Sequence, residues 1–467
     1  MSSDTTDPLT REDRAERGLA ARRAVPFAAL AEHDGTRPRS VVDLLELQAA
    51  TRVPQLVPVR YGRMASTAFA FYRGGARIMA DDLFHAPSTG LRTHLCGDAH
   101  MGNFGLYATP ERRVAFDIND FDETYPGPFE WDVKRLAGSL AVAGRENGFA
   151  DKQRARVTLA CVAEYRETMA RQADRGTLAA WYSHIEPTTE LLELRDELDT
   201  STSKRIRKAL EKSSHRDSVQ ALTKLTAMVE GQRRINSFPP LIAPIEEVFP
   251  DADVKLLYAE LRQRLGEYRQ TLQANRRVLF DRFELVQAAR KVVGVGSVGT
   301  RAWILLFRGV DEDDPLFLQA KEAQQSVLAG YLEGPSFPNE GERVVEGQRL
   351  MQAASDIFLG WQQGPGFDGV RRDFHLRQLR DGKGSAVIDT MAPTAMALYG
   401  RLCGRALAYA HARAGDRVAI AAYLGSGTEF DHAIAEFAET YADQNARDHA
   451  ALLEAIADGR VEARLGL

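Results

Sequence analysis

Apolar and polar positions alternate along this chain with a period that changes twice. Over residues 129–285 the apolar side chains recur at three- and four-residue spacing, as in WDVKRLAGSLAVAGRE, ARVTLACVAEYRETMARQ and VKLLYAELRQRLGEYRQTLQ. That spacing predicts long amphipathic helices. Over residues 291–390 the pattern turns β-like. RKVVGVGSVGTRAWILLFRG predicts two strands around a glycine turn, PLFLQAKEA a third, and FHLRQLRDGKGS a strand with a polar turn. One helix, NEGERVVEGQRLMQAASD, interrupts that block. From residue 393 the helical period returns in TAMALYGRLCGRALAYAHARAG and HAIAEFAETYADQNARDHAALLEAIA. Upstream, VVDLLELQAATR predicts a short helix, and LRTHLC and RRVAFDIND predict two short strands flanking a loop. The four prolines of SFPPLIAPIEEVFP mark a loop or a boundary. Residues 1–40 are charged and alanine-rich, and read as a flexible leader. The order is helical, β-rich, then helical, with no internal repeat.

Composition narrows the class. The chain has 467 residues, 44% hydrophobic and 27% charged, as a globular protein does. Its net charge of −5 argues against generic nucleic-acid binding. No apolar run has the length of a membrane span, and the N-terminus lacks the apolar core of a signal peptide. Cys96, Cys161 and Cys403 are scattered, which excludes a disulfide framework and a cysteine zinc site. A cytoplasmic location is the expectation. Only ten of the 60 basic residues are lysine, a bias that suits a GC-rich genome. The basic cluster KRIRKALEK, residues 204–212, reads as a solvated helix face.

The densest chemistry lies in CGDAHMGNFGLYATPERRVAFDINDFDETYPGPFEWDVKRLAGS. Asp98 and Asn103 share a glycine-containing loop, and Asp120 and Asp122 follow the next apolar run. Phosphoryl transfer needs such a set: one carboxylate to orient an acceptor hydroxyl, and an amide oxygen and a second carboxylate to hold magnesium. Magnesium keeps several waters, so two protein ligands suffice. Taken singly, each of these residues suits a cap or a turn better than a catalytic role.

GDAHMGN followed by DFD resembles the catalytic and metal motifs of the aminoglycoside-phosphotransferase and protein-kinase-like superfamily. The resemblance implies Asp98 as catalytic base, Asn103 and Asp120 as magnesium ligands with Asp122 beside them, and Asp132 as the aspartate placed before a helix. Two positions depart from the pattern: Cys96 replaces a histidine, and Asp122 replaces the glycine after the metal aspartate. Asp117 competes with Asp120 for the metal role, and the spacing to Asp132 favours Asp120.

Gly294, Gly296 and Gly299 form G-x-G-x-x-G, with Ser297 inside it. A dinucleotide loop should open a helix, whereas TRAWILLFRG continues as a strand. Strand, glycine turn, strand is the arrangement of a kinase nucleotide lid. Lys321 follows in FLQAKEA, in the place of the lysine that contacts the ATP phosphates. Glu346 is the expected partner of Lys321, with Glu342 as the alternative.

Kinases place the glycine loop and lysine before the catalytic loop, and here they follow it. A circular permutation reconciles the order. The implied fold class is α+β, a permuted two-lobed kinase-like fold. Residues 41–290 and 391–467 would build a mostly helical large lobe and residues 291–390 a small β-rich lobe. His411 reads as a packed helix residue. The strings FYRGGARIMADD, GDAHMGNFG, NDFDET, GPFEWDVKRLAGS, VVGVGSVGTR and YADQNARDHA also resemble domain of unknown function 2252, an uncharacterised bacterial family, over nearly residues 40–460. These readings converge on a phosphotransferase using ATP and Mg2+ on an unidentified small-molecule or protein hydroxyl, with adenylyl transfer also open. The acceptor is expected among residues 150–290 and near Arg60, Arg63 and Arg73. No membrane or nucleic-acid partner is expected, and oligomeric state stays open. The alternatives are a nucleotide-binding module without turnover, and a metal-dependent phosphohydrolase using the alternating His94, Cys96, Asp98 and His100.

Overall fold

The computed structural model describes residues 9–36, 38–187, 225–292, 294–296, 298–366, 369–379, 384 and 386–466. Ser297 and the basic cluster at 204–212 lie outside the described residues. The principal elements, in chain order, are α1 (Arg11–Ala24), α2 (Val57–Ala65), α3 (Ala68–Gly74), α4 (Ala76–Phe84), β1 (Arg92–Leu95), β2 (Phe104–Ala108), β3 (Val114–Ile118), β4 (Tyr125–Pro128), α5 (Phe129–Glu146) and α6 (Asp151–Asp174). Next come β5 (Thr226–Val229), β6 (Gln232–Ile235), β7 (Ile242–Pro244), α7 (Val254–Thr271), β8 (Glu284–Lys291), β9 (Ala302–Arg308), β10 (Pro315–Ala323), α8 (Glu340–Met351), β11 (Gly360–Pro365) and β12 (Arg371–Gln378). Three helices follow, α9 (Pro393–Ala414), α10 (Arg417–Leu424) and α11 (Glu429–Ala457). The architecture is mixed α+β, with a larger helical region and a smaller sheet region.

The helical region is organised around α5, which is buried along nearly its whole length from Phe129 to Gly144. Its apolar residues serve every side of the helix, as expected for a core element rather than a surface one. Beside it, α6 and α9 approach closely because α9 offers small residues at the contact. A Cβ on Gly404 would lie 2.3 Å from the carbonyl oxygen of Cys161, so a larger residue there would push the two helices apart.

The flexible leader expected for residues 1–40 is corrected over residues 9–36. A capping box between Thr10 and Asp13 starts α1. The helix then lies on α10, where Gly18 leaves room for the Ala419 carbonyl. Arg22 donates to the carbonyl oxygens of Ala422 and Tyr423, and Arg11 and Arg14 pair with Asp174 and Asp416. These anchors are arginines and one glycine, so no apolar stripe announced the docking.

Six antiparallel strands form the sheet, in the order β11-β12-β10-β9-β8-β7. It begins at Ile242, so the expected start of the β-rich block at residue 291 comes too late. ELVQAARK hides β8 from a periodicity search, because its Gln287 is buried and accepts from the Ile235 N–H. α7, expected in the helical block, covers one face of the sheet through Leu265, Tyr268 and Leu272, against Leu305, Phe307, Leu316 and Leu318. The hairpin β5–β6 was also missed; Glu230 and Gly231 both take positive φ in its two-residue turn.

Every residue of β10 is buried. Successive strand residues face opposite ways. Leu316, Leu318 and Ala320 therefore join the core under α7, while Phe317, Gln319 and Lys321 share the other face. Strand parity aims Lys321 at the helical region.

Candidate functional site

Two loops are brought together by the short ladder β1–β4. Leu95 pairs with Tyr125, so the loop 96–103 after β1 and the loop 119–124 before β4 leave the ladder side by side. The Asn119 N–H donates to the Asn103 carbonyl at 2.8 Å, and Thr124 Oγ1 to the Leu95 carbonyl at 2.7 Å. This places Asp98 and Asn103 beside Asp120 and Asp122.

The start of α5 templates the first loop. Asp132 accepts from the backbone N–H of Cys96 at 2.8 Å and of Gly97 at 3.1 Å, and lies 3.2 Å from His411 Nε2. One helical turn on, Arg135 donates from Nε to Asp98 Oδ1 at 2.9 Å, with a second nitrogen at 2.8 Å. Ser139, another turn along, accepts from the Met101 N–H at 2.9 Å. Asp132, Arg135 and Ser139 follow the i, i+3, i+7 spacing of one helix face. That spacing was the available signal for Arg135 and Ser139, which sequence reasoning passed over. His411 is buried and bonded to Tyr165 and Asp132, the packed role expected of it.

The sheet region supplies cations to the second loop. Lys321 is 3% exposed; its Nζ lies 3.5 Å from Asp120 Oδ2 and in closer contact with Asp122 Oδ2. Arg377 of β12 donates to the Asn119 carbonyl at 2.9 Å. Arg343 of α8 donates to the carbonyls of Thr124, Asp122 and Gln324 at 2.7, 2.9 and 2.8 Å. Burial works to raise the Asp120 carboxyl, but the charges of Lys321 and Arg377 outweigh it and hold the group below its ordinary range. Burial and the neighbouring Asp120 push Asp122 up. Two carboxylates share one lysine.

Glu346 does not pair with Lys321. It is exposed and bonded to Arg349 at 2.8 Å, because the buried face of α8 carries Arg343, Val344, Gly347, Gln348 and Met351 instead. Glu342 sits in the first turn, where its N–H is capped by Asn339. Asp117 is also removed from the site: it is buried and accepts from the Ala353 N–H at 3.0 Å.

Asp98, Asn103, Asp120 and Asp122 line a cavity of about 240 Å³, together with Glu123, Gly294, Gly296 and the arginines Arg52, Arg73 and Arg77. Gly299 lies just behind the glycine turn, and its carbonyl accepts from the Val53 N–H at 2.8 Å. Arg63 donates to the Gly294 carbonyl and Arg52 to that of Val298, so the segment 52–63 holds the loop in place. Burial raises Glu123 to about 7. A larger cavity of about 390 Å³, between α7 and the sheet, contains none of the candidate groups and is mostly apolar. The acceptor was expected among residues 150–290, yet the described residues lining the candidate cavity come from elsewhere.

Among the described residues, no group of three or more His, Cys, Asp or Glu side chains is arranged to hold a metal. A magnesium held by one amide and one carboxylate asks less. Asn103 Nδ2 donates to the Asp98 carbonyl at 2.8 Å, which turns its amide oxygen away from that bond. Asn103 and Asp120 both line the cavity, where Asp120 Oδ1 accepts from the Asp122 N–H at 3.2 Å and Oδ2 faces Lys321.

A family model described as "Uncharacterized protein conserved in bacteria (DUF2252)" matches residues 52–455, and the chain belongs to that family. No curated protein and no solved structure matches it.

Proposed function

We propose that this member of an uncharacterised bacterial family is an ATP- and magnesium-dependent phosphotransferase on a kinase-like fold in permuted order. The observation that carries the reading is the meeting of Lys321 with Asp120 across 201 residues of chain. A nucleotide site requires its phosphate-binding lysine and its metal carboxylate within one nucleotide's span. Three further features support it. The glycine turn joins β8 to β9, Lys321 lies on the next strand, and α8 packs beside that strand.

In this reading Asn103 and Asp120 hold magnesium, which when bound neutralises charge on the phosphates. Lys321, now shared by the two aspartates, is then released to the phosphates. Asp98, fixed by Arg135 through Oδ1, keeps Oδ2 for the acceptor hydroxyl. Gly294 and Gly296 permit close approach of backbone to nucleotide.

The second reading, nucleotide binding without turnover, draws on one observation. Two Arg135 nitrogens close on Asp98 Oδ1, so the residue assigned as base is tied into a structural ion pair. Calorimetry of ATP–magnesium with the wild type and Asp120→Ala separates the cases. Binding by the wild type, lost in the variant and accompanied by phosphate transfer, is the expected result. No binding by the wild type removes both readings, and binding by both without turnover favours the binding module.

A further inference from the structure

The candidate cavity is lined by five carboxylates and three arginines. Asp98 has Arg135, Asp120 and Asp122 have Lys321, Glu322 has Arg301 and Arg372, and Glu123 accepts from the Val327 N–H. The arginines are Arg52, Arg73 and Arg77, delivered by the N-terminal segment. The Nε atoms of all three are buried without a hydrogen-bond partner. Arg73 makes no ion pair among the described residues and lies between the glycine turn and the loop 96–103. A Cβ on Gly296 would meet its carbonyl at 3.3 Å, and one on Gly102 would meet its Nε at 3.6 Å. Its neighbours in sequence are engaged elsewhere: Arg60 is buried on Gln48 and the Gly74 carbonyl, and Arg63 on the Gly294 carbonyl.

A buried guanidinium nitrogen without a partner is costly, and three such side chains lining one cavity mark a place for an anion. The planar fork suits phosphate oxygens, and three positive charges match a dianion better than a monoanion. We propose that these arginines seat a phosphate group on the acceptor, with Arg73 as its central contact and Arg52 and Arg77 flanking it. The molecule phosphorylated is then itself a phosphomonoester. Its identity as acceptor rests on the phosphotransferase reading; the anion site does not.

The test is titration of inorganic phosphate into the full chain, with EDTA and no magnesium, followed by calorimetry. Saturable binding is expected, weakened at least tenfold in Arg73→Gln and no weaker in Asp120→Ala. Arg73→Lys keeps the charge without the fork and should fall between, and its far-UV spectrum guards against misfolding. No binding by the wild type, or equal binding by Arg73→Gln, overturns the site. If phosphate binds through Arg73 while ATP–magnesium does not bind at all, the anion site stands and the phosphotransferase reading falls. ATP–magnesium binding without phosphate binding leaves that reading intact and removes the anion site alone.

Discussion

Lys321 and Asp120 lie 3.5 Å apart, one on buried β10 of the six-stranded sheet and the other on the loop between β3 and β4. Asp122 completes the group from two residues further along, and its oxygen also touches the lysine. A buried cation between two carboxylates is stable only while all three remain, since each desolvated charge relies on the others.

Replacing Lys321 with Met should therefore destabilise the protein, by less than the ~3–5 kcal/mol of a fully buried unpaired charge, because the side chains of Asp120 and Asp122 stay 30% and 27% exposed. Adding Asp122→Asn should restore part of that loss, because the like-charge repulsion with Asp120 disappears. Urea unfolding of the two single variants and the double variant measures the coupling. Simple additivity would contradict the shared-lysine arrangement.

Asp132→Asn should cost about 2–3 kcal/mol, since Cys96, Gly97 and His411 all direct N–H groups at this carboxylate. The loop carrying Asp98 should loosen with it. Hydrogen exchange at the Cys96 and Gly97 amides reads that change directly, and unaltered protection would contradict the templating role of α5.

Two buried groups tilt stability with pH in opposite senses. Burial raises Glu123 from 4.5 to about 7, so the native state favours its proton; that contribution is complete below pH 4.5 and disappears as pH rises through 7. Burial lowers His100 from 6.5 to about 4, so its contribution is present above pH 6.5 and is lost as pH falls through 4. Glu123→Gln should flatten the decline of unfolding free energy between pH 4.5 and 7, while His100→Gln should flatten the acid limb. Unchanged slopes in both variants would refute the assignment.

Gly97→Ala should be among the most damaging small changes. Gly97 adopts φ 83°, and a Cβ there would lie 2.1 Å from the Glu123 carbonyl oxygen. The substitution meets both backbone strain and a collision between the two functional loops, for a loss of about 3 kcal/mol or more. Thermal unfolding beside Gly90→Ala, where positive φ occurs in open space, isolates the collision.

Some of this was legible in the sequence. The helical periods of α5, α6, α9 and α11 are long, and β9 and β10 are continuous apolar runs, so local pattern was enough to find them. The loop residues Asp98, Asn103 and Asp120 stood out because several polar groups of one chemical kind fell close together. Glu346 was misread because a glutamate-bearing helix after a strand does not say which face turns inward. Arg343, three residues earlier, occupies that face and holds the loop by its carbonyls. Arg52 and Arg77 were hidden among 50 arginines, most of them with ordinary surface or structural duties.

The sequence by itself determined the alternation of helical and β-rich blocks, the acidic loop, the glycine turn and the presence of a lysine on a buried strand. Periodicity and residue chemistry are local, and a short window contains them. Tertiary structure alone decided which partners meet. Strand parity aims Lys321 inward, the β1–β4 register sets two loops abreast, and α1 docks through arginines rather than an apolar stripe. Those outcomes depend on contacts between residues hundreds of positions apart, whose energies no local pattern encodes.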